Sequence, residues 1–191
     1  MKKRTKLFVI LSVIALVVII LVSSVTSTYN SLVSLETEVE TKQAQISTQL
    51  QRRSDLIPNQ VNTVKGYAAH ENEVYTAIAD ARSKLAGANT VEELSEADSQ
   101  LSSALSRLLV VVENYPQLKA SENFIALQDQ LEGTENRIAT ARNDYNKAAK
   151  TYNTKIRKFP SNIFAGMFGF EKADYFEAEE GAEKNPEVSF E

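Results

Sequence analysis

Two hydrophobic regimes divide the chain. From Leu7 to Val22 every residue but Ser12 is apolar, and the run fades only at Val25. As a helix, residues 7–25 reach about 28 Å, close to one hydrocarbon thickness. Beyond it, apolar residues recur every three or four positions, the period of amphipathic helices.

The spacing predicts four such helices. The first continues from the apolar run through Leu32, Leu35, Val39, Gln43, Ile46 and Leu50. Arg52, Arg53, Asp55 and Pro58 interrupt it, so a corner is expected at residues 52–59. Asp55 precedes Pro58 by three residues, and proline is tolerated in a helix's first turn. The second helix is expected over 56–86, with Ile57, Val61, Val64, Ala68, Tyr75, Ile78 and Leu85 on one face. Gly87 suits a left-handed C-terminal cap. Thr90-Val91-Glu92-Glu93 is a capping box, which opens a third helix carrying Leu94, Ala97, Leu101, Leu105, Leu108 and Val112. Asn114-Tyr115-Pro116 closes it. The fourth follows Ser121, an N-cap candidate, and runs from Phe124 through Ile138, Tyr145 and Tyr152 to a break at Phe159-Pro160. Gly133 inside it marks a kink or a close approach.

Short connections between long helices favour antiparallel neighbours. The expected fold is therefore all-α: an N-terminal transmembrane helix continuing into an elongated antiparallel four-helix bundle. The parts are a basic flank (1–6), a transmembrane anchor (7–25), the bundle (29–158), an aromatic membrane-proximal segment (159–177) and an acidic tail (178–191). An even number of helices returns the chain to the membrane side. Residues 160–170, with Ile163, Phe164, Phe168 and Phe170, then either plug the end of the bundle or rest on the bilayer or a membrane partner. Heptad-like spacing is also compatible with a coiled-coil homo-oligomer.

Charge sharpens this picture. The net charge is −4, and the first 25 residues hold four cations and no acid, which leaves −8 for residues 26–191. The cations before the apolar run put the N-terminus in the cytoplasm and the remainder outside. A signal peptide has the same basic start, but its apolar core is usually about 7–15 residues, shorter than this run. No Ala-x-Ala site follows, so an uncleaved single-pass anchor is expected. Eight acids and two lysines between Glu171 and Glu191 make the tail a solvated end. The near balance of the middle disfavours a nucleic-acid interface, which would show a basic stripe.

Composition also excludes chemistries. There is no Cys and one His, which removes disulfides, thiolate sites and two-His zinc motifs. His70-Glu71 matches the first half of H-E-x-x-H, but Val74 stands where the second His is needed. Polar contacts between helices are expected of it instead, within a network drawn from Glu71, Arg82, Glu135, Arg137 and Arg142. No catalytic set, metal or cofactor is expected. The Tyr-Asn pairs at 29–30, 145–146 and 152–153 are each expected to pack the ring in the core and let the polar tips satisfy neighbours, with Tyr145 and Tyr152 on one face; binding of a sugar or peptide is the alternative.

Several segments resemble the LemA family of bacterial membrane-anchored proteins. They are Gln51-Arg52-Arg53-Ser54-Asp55-Leu56-Ile57-Pro58-Asn59, Val64-Lys65-Gly66-Tyr67-Ala68-Ala69-His70-Glu71, Glu132-Gly133-Thr134-Glu135-Asn136-Arg137-Ile138-Ala139, and Phe159-Pro160-Ser161-Asn162-Ile163 with Met167-Phe168-Gly169-Phe170. Gln60 departs from the leucine usual after the first. The resemblance implies a transmembrane helix, a helical bundle and loose association with envelope functions, and it implies no reaction.

The candidate interaction residues are Arg52, Arg53, Asp55, Pro58 and Asn59 at the expected corner, with Ile163, Phe164, Phe168 and Phe170. At the corner two readings stand. Asp55 caps the second helix while the arginines pair locally, or the group docks an acidic partner beside a helix N-terminus. The function expected is a membrane-anchored scaffold or adaptor at the cell envelope of the plasma membrane. An accessory subunit of a membrane protease or other envelope enzyme is the alternative. The partners expected are the lipid bilayer and a protein, without nucleic acid.

Overall fold

A computed structural model of the chain describes residues 3–177, with side chains from Leu7 onward. The expected acidic tail and the basic side chains of the flank lie outside these. The fold is all-α. Among the described residues there are six helices and no strand: α1 (Lys3–Lys65), α2 (Asn72–Gly87), α3 (Val91–Glu113), α4 (Pro116–Lys119), α5 (Glu122–Arg157) and α6 (Ser161–Phe168).

The largest departure from expectation is at residues 52–59. No corner forms there, and α1 runs 63 residues without a break, with Pro58 inside it. The physical reason is a buried stripe that keeps its register across the interruption. Ile46, Leu50, Arg53, Ile57, Gln60 and Val64 are all buried, at spacings of three and four. A proline in a helix interior costs about 3 kcal/mol. Burying Leu50, Ile57 and Val64 returns about 1.5–3 kcal/mol each, so packing wins. Asp55 caps no helix. It is exposed and accepts from Gln51 Nε2 at 2.8 Å, one turn away.

The chain turns instead at residues 66–71. Tyr67 and Ala68 both donate backbone N–H groups to the Val64 carbonyl at 2.9 Å. The Tyr75 hydroxyl donates to the Ala68 carbonyl at 2.7 Å, and Lys65 Nζ sits 4.9 Å from the Tyr75 ring centroid. His70 lies exposed in this turn rather than between helices, and Glu71 occupies the N-cap position of α2 without a side-chain cap bond. The second helix is therefore shorter than expected. Gly87 is its last residue and is not left-handed; Gly169, with φ 77°, is the positive-φ glycine among the described residues.

The third and fourth helices match their expected limits. Thr90 Oγ1 accepts from the Glu93 N–H at 3.1 Å while the Glu93 carboxylate accepts from the Thr90 N–H at 3.1 Å, a complete capping box. The backbone N–H groups of Asn89 and then Thr90, both donating to the Glu93 carboxylate, hold it below its ordinary range. Asn114 ends α3, and the single turn α4 begins at Pro116. α5 follows Ser121, whose carbonyl accepts from the Ile125 N–H at 3.0 Å. A Cβ added at Gly133 would meet nothing within 4 Å, so no close approach explains that glycine.

The described residues fall into two compact units. One comprises Thr41–Asn146 with the residues from Asp174. Here four helical stretches alternate in direction. As numbering rises along α1 from Gln43 to Ser54, their partners fall along the chain from Asn89 to Arg82. Lys84 of α2 meets Gln100 of α3, and Asp98 of α3 meets Arg142 of α5. The core is Ile46, Leu50, Ile57, Ile78, Leu101, Leu108, Phe124 and Ile138, with Tyr145 under Phe176.

The other unit comprises the described residues up to Glu40 with Lys147–Ala173. It holds the first part of α1, the end of α5 and all of α6. Leu32, Val39, Ala149, Tyr152 and Ile156 are its buried contacts. The Tyr152 hydroxyl donates to Glu36 at 3.3 Å, so the end of α5 lies beside α1 just beyond the apolar run. That run is exposed throughout residues 7–22, and α1 is long and apolar enough to cross a membrane.

Candidate functional site

The polar side chains of the larger unit gather at its centre. Arg53 projects from α1 on the buried stripe and is 7% exposed. Its Nη1 lies 2.7 Å from Asp98 Oδ1 and 2.7 Å from Glu135 Oε2. Asp98 is 2% exposed, and its second oxygen accepts from Arg142 Nη2 at 2.7 Å. One carboxylate thus bridges two guanidinium groups, the geometry that lets a buried charge offset its desolvation. Arg82 bonds separately, its Nε donating to Ser54 Oγ at 3.3 Å.

The expected network is therefore present in part. Glu135 and Arg142 take part in it, while Arg82 bonds Ser54 instead and no ion pair brings Glu71 or Arg137 in. Asp98 is the member that sequence reasoning missed, and Gln60 is a further buried polar residue outside the network. Spacing marks both of them: Asp98 falls between Leu94 and Leu101, and Gln60 between Ile57 and Val64, each on the core stripe of its helix.

Burial also divides the candidate residues 52–59. Arg53 is a core cation and is not available for docking. Arg52, Asp55 and Asn59 face outward and are exposed, and Pro58 is half-buried. Beside Arg53 a groove of about 300 Å³ opens between α1, α3 and α5. Arg53, Gln60, Leu105, Leu131, Gln128 and Glu135 line it. Arg53 Nε and Gln60 Oε1 are buried without a hydrogen-bond partner. Among the described residues no group of three or more His, Asp or Glu side chains is arranged to hold a metal ion.

Two of the three Tyr-Asn pairs behave as expected, while Tyr29 is 40% exposed and does not pack its ring in a core. In the larger unit, Asn146 donates Nδ2 to the Phe176 carbonyl at 2.9 Å and accepts from the Phe176 N–H at 3.0 Å. The Tyr145 hydroxyl donates to the Asp174 carbonyl at 2.9 Å, and the Arg142 guanidinium lies 5.4 Å from the Phe176 ring centroid. In the other unit Asn153 makes the same two-way bond with the Ala173 backbone, at 2.8 and 2.9 Å. Burial, aided by Glu36, pushes the Tyr152 phenol up to about 12. Burial also raises Tyr145 and Tyr75, with smaller contributions from Asp174 and Glu71 respectively.

The aromatic candidates form α6 and its flanks. Ser161 and Ala165 face inward and are buried. Ile163 and Phe168 are half exposed, Phe159 and Met167 more so, and Phe164 and Phe170 are half-buried. The small residues at 161 and 165 take the most buried positions, with Phe164 and Phe170 half-buried and Ile163 and Met167 left outside. Tyr29 of α1 meets the rings of Phe168 and Phe170 edge-on, at centroid distances of 5.0 and 5.7 Å.

Comparison with known proteins adds a family. The LemA family model matches residues 42–190. The magnetosome protein MamQ 2 of Paramagnetospirillum magneticum is 30% identical over 194 residues, covering 88% of this chain and 70% of that one. The magnetosome protein MamQ of Magnetospirillum gryphiswaldense is 27% identical, covering 90% of this chain and 72% of its own. The protein LemA of Metamycoplasma hominis is 29% identical, covering 79% and 69% respectively.

Proposed function

The chain belongs to the LemA family, and from that premise we propose that it is a single-pass, membrane-anchored helical scaffold or adaptor at the cell envelope, without catalysis of its own. One observation carries the reading. The helix with the apolar residues 7–25 is the same helix that lays Ile46, Leu50, Ile57 and Val64 into the core of the larger unit. Anchor and first core helix are one element, which suits a protein that presents a surface from a membrane. The central charges support a structural role, because Arg53, Asp98, Glu135 and Arg142 are engaged with one another.

The outward residues of α1, Arg52, Asp55 and Asn59, offer the docking surface in this reading. A photo-crosslinker placed at Asn59 in the membrane-bound protein is expected to capture one protein partner reproducibly, identified by mass spectrometry. Capture of an envelope enzyme alone would recast the chain as its accessory subunit. Substrate turnover by the purified protein would overturn the scaffold reading.

The four cations ahead of the apolar run favour a cytoplasmic N-terminus and an extracytoplasmic soluble part. The chain lacks cysteine, so Asn59→Cys creates a unique thiol at an exposed position. A membrane-impermeant maleimide should label it from outside on cells whose outer barrier is opened. Labelling only after lysis would reverse the orientation.

A further inference from the structure

We propose that α6 is a second membrane contact, an interfacial foot whose outward face lies in the lipid of the bilayer that α1 crosses. The inference rests on the anchor reading above. It begins from large apolar side chains of α6 that stand exposed. A short surface helix ordinarily turns large apolar residues inward and polar ones outward. In α6 the fully buried positions are Ser161 and Ala165, Phe164 is half-buried beside them, and Ile163 and Met167 face outward with Asn162 and Gly166. Met167 is 71% exposed, and Phe159, just before the helix, is 81% exposed. Ile163 and Met167 stand four apart and form one stripe, which Phe168 borders and Phe159 leads into. No charged residue occurs from Phe159 to Phe170.

The position of α6 identifies what covers this stripe. Tyr29 holds Phe168 and Phe170 by edge contacts within the same unit. Tyr29 stands four residues, or about 6 Å of helix, past the end of the apolar run at Val25. That is the depth of the headgroup layer, where aromatic rings concentrate. Eight residues of α6 make about 12 Å of helix, too short to cross a bilayer and suited to lying in its surface. Exposed Arg157 and Lys158 lead into the segment, and cations beside an apolar face add attraction to anionic lipid. The left-handed Gly169 then turns the chain back, with the Phe170 N–H bonded to the Ala165 carbonyl at 3.0 Å.

The chain contains no tryptophan, so a single introduced indole reports its own surroundings. The full chain carrying Met167→Trp, or Phe159→Trp as a second variant, is reconstituted in vesicles of brominated phosphatidylcholine with phosphatidylglycerol. Ile14→Trp reports the anchor, and Val110→Trp, exposed on the larger unit, reports water. The expected result is loss of most emission from the Met167→Trp and Phe159→Trp variants, more with bromine near the headgroup end of the acyl chain than deep in it. The Ile14→Trp variant should be quenched and the Val110→Trp variant should not. Quenching in the Ile14→Trp variant beside unquenched, water-like emission at both 159 and 167 overturns the foot and leaves the anchor standing. Blue-shifted but unquenched emission at 159 and 167 also overturns it, since protein would then cover the stripe. An unquenched Ile14→Trp variant removes the anchor reading and the foot with it.

Discussion

Asp98 holds the polar centre together at the scale of single residues. Its two oxygens face two cations, so truncation removes the carboxylate paired with Arg142 and leaves Arg53 with Glu135 alone. Asp98→Ala is expected to cost about 3–5 kcal/mol, read as a lowered thermal midpoint by circular dichroism in detergent. Arg52→Gln, on the exposed face of the same turn as Arg53, should change stability by no more than about 0.5 kcal/mol. Equal effects of the two would contradict the burial pattern. The phenol of Tyr152 gives a pH signature. Its ordinary value is 10 and its folded value about 12. A phenol raised on folding contributes stability that is whole below its unfolded value and is lost as pH rises toward the folded one. Stability should therefore fall from pH 10 toward about 12, and Tyr152→Phe should flatten that fall. An unchanged alkaline slope in the variant would refute the assignment. The charges themselves are plain in the sequence. Their partners are not, because Asp98 lies 45 residues from Arg53 and only the fold brings them together.

At the scale of elements, local signals are legible wherever no long-range packing opposes them. The Thr90–Glu93 capping box and the break at Pro116 set the limits of α3 by hydrogen bonds within a few residues. The C-terminal limit of α1 is obscured for the opposite reason. Two arginines, an acid and a proline look like a corner, yet Leu50, Arg53, Ile57 and Gln60 stay on one buried stripe. Arg53 and Gln60 hide that stripe, since a polar residue at a core position reads as an interruption. Glycine shows the converse case. Gly133 sits in α5 with open space beside it, so Gly133→Ala should stabilise the helix by about 0.4–1 kcal/mol through lower backbone freedom in the unfolded chain. A drop in the thermal midpoint would mean that the glycine serves a contact or a motion after all.

For the whole molecule, the all-α class and the long apolar run can be read from the hydrophobic pattern alone, because both depend on composition over long windows. The exposure of α6 cannot, since Ser161, Ala165, Ile163 and Met167 reveal which side faces inward only once neighbours are placed. The buried charges carry a further consequence at this scale. Long heptad stripes of aliphatic residues are interchangeable, and a second copy of the chain could supply one as well as the first. A carboxylate on α3 that must meet arginines from α1 and α5 penalises every pairing that slides a turn or swaps a helix. Replacing the set together (Arg53→Met, Asp98→Leu, Arg142→Met) removes desolvation costs, and the variant is expected to melt at a higher temperature. It should also elute in detergent as a mixture of assembly sizes where the native chain gives one. A variant that is more stable yet still uniform would show that aliphatic packing alone dictates the pairing. The ion cluster thus acts less as glue than as a key, set so that each helix accepts its own neighbour and refuses a stranger's.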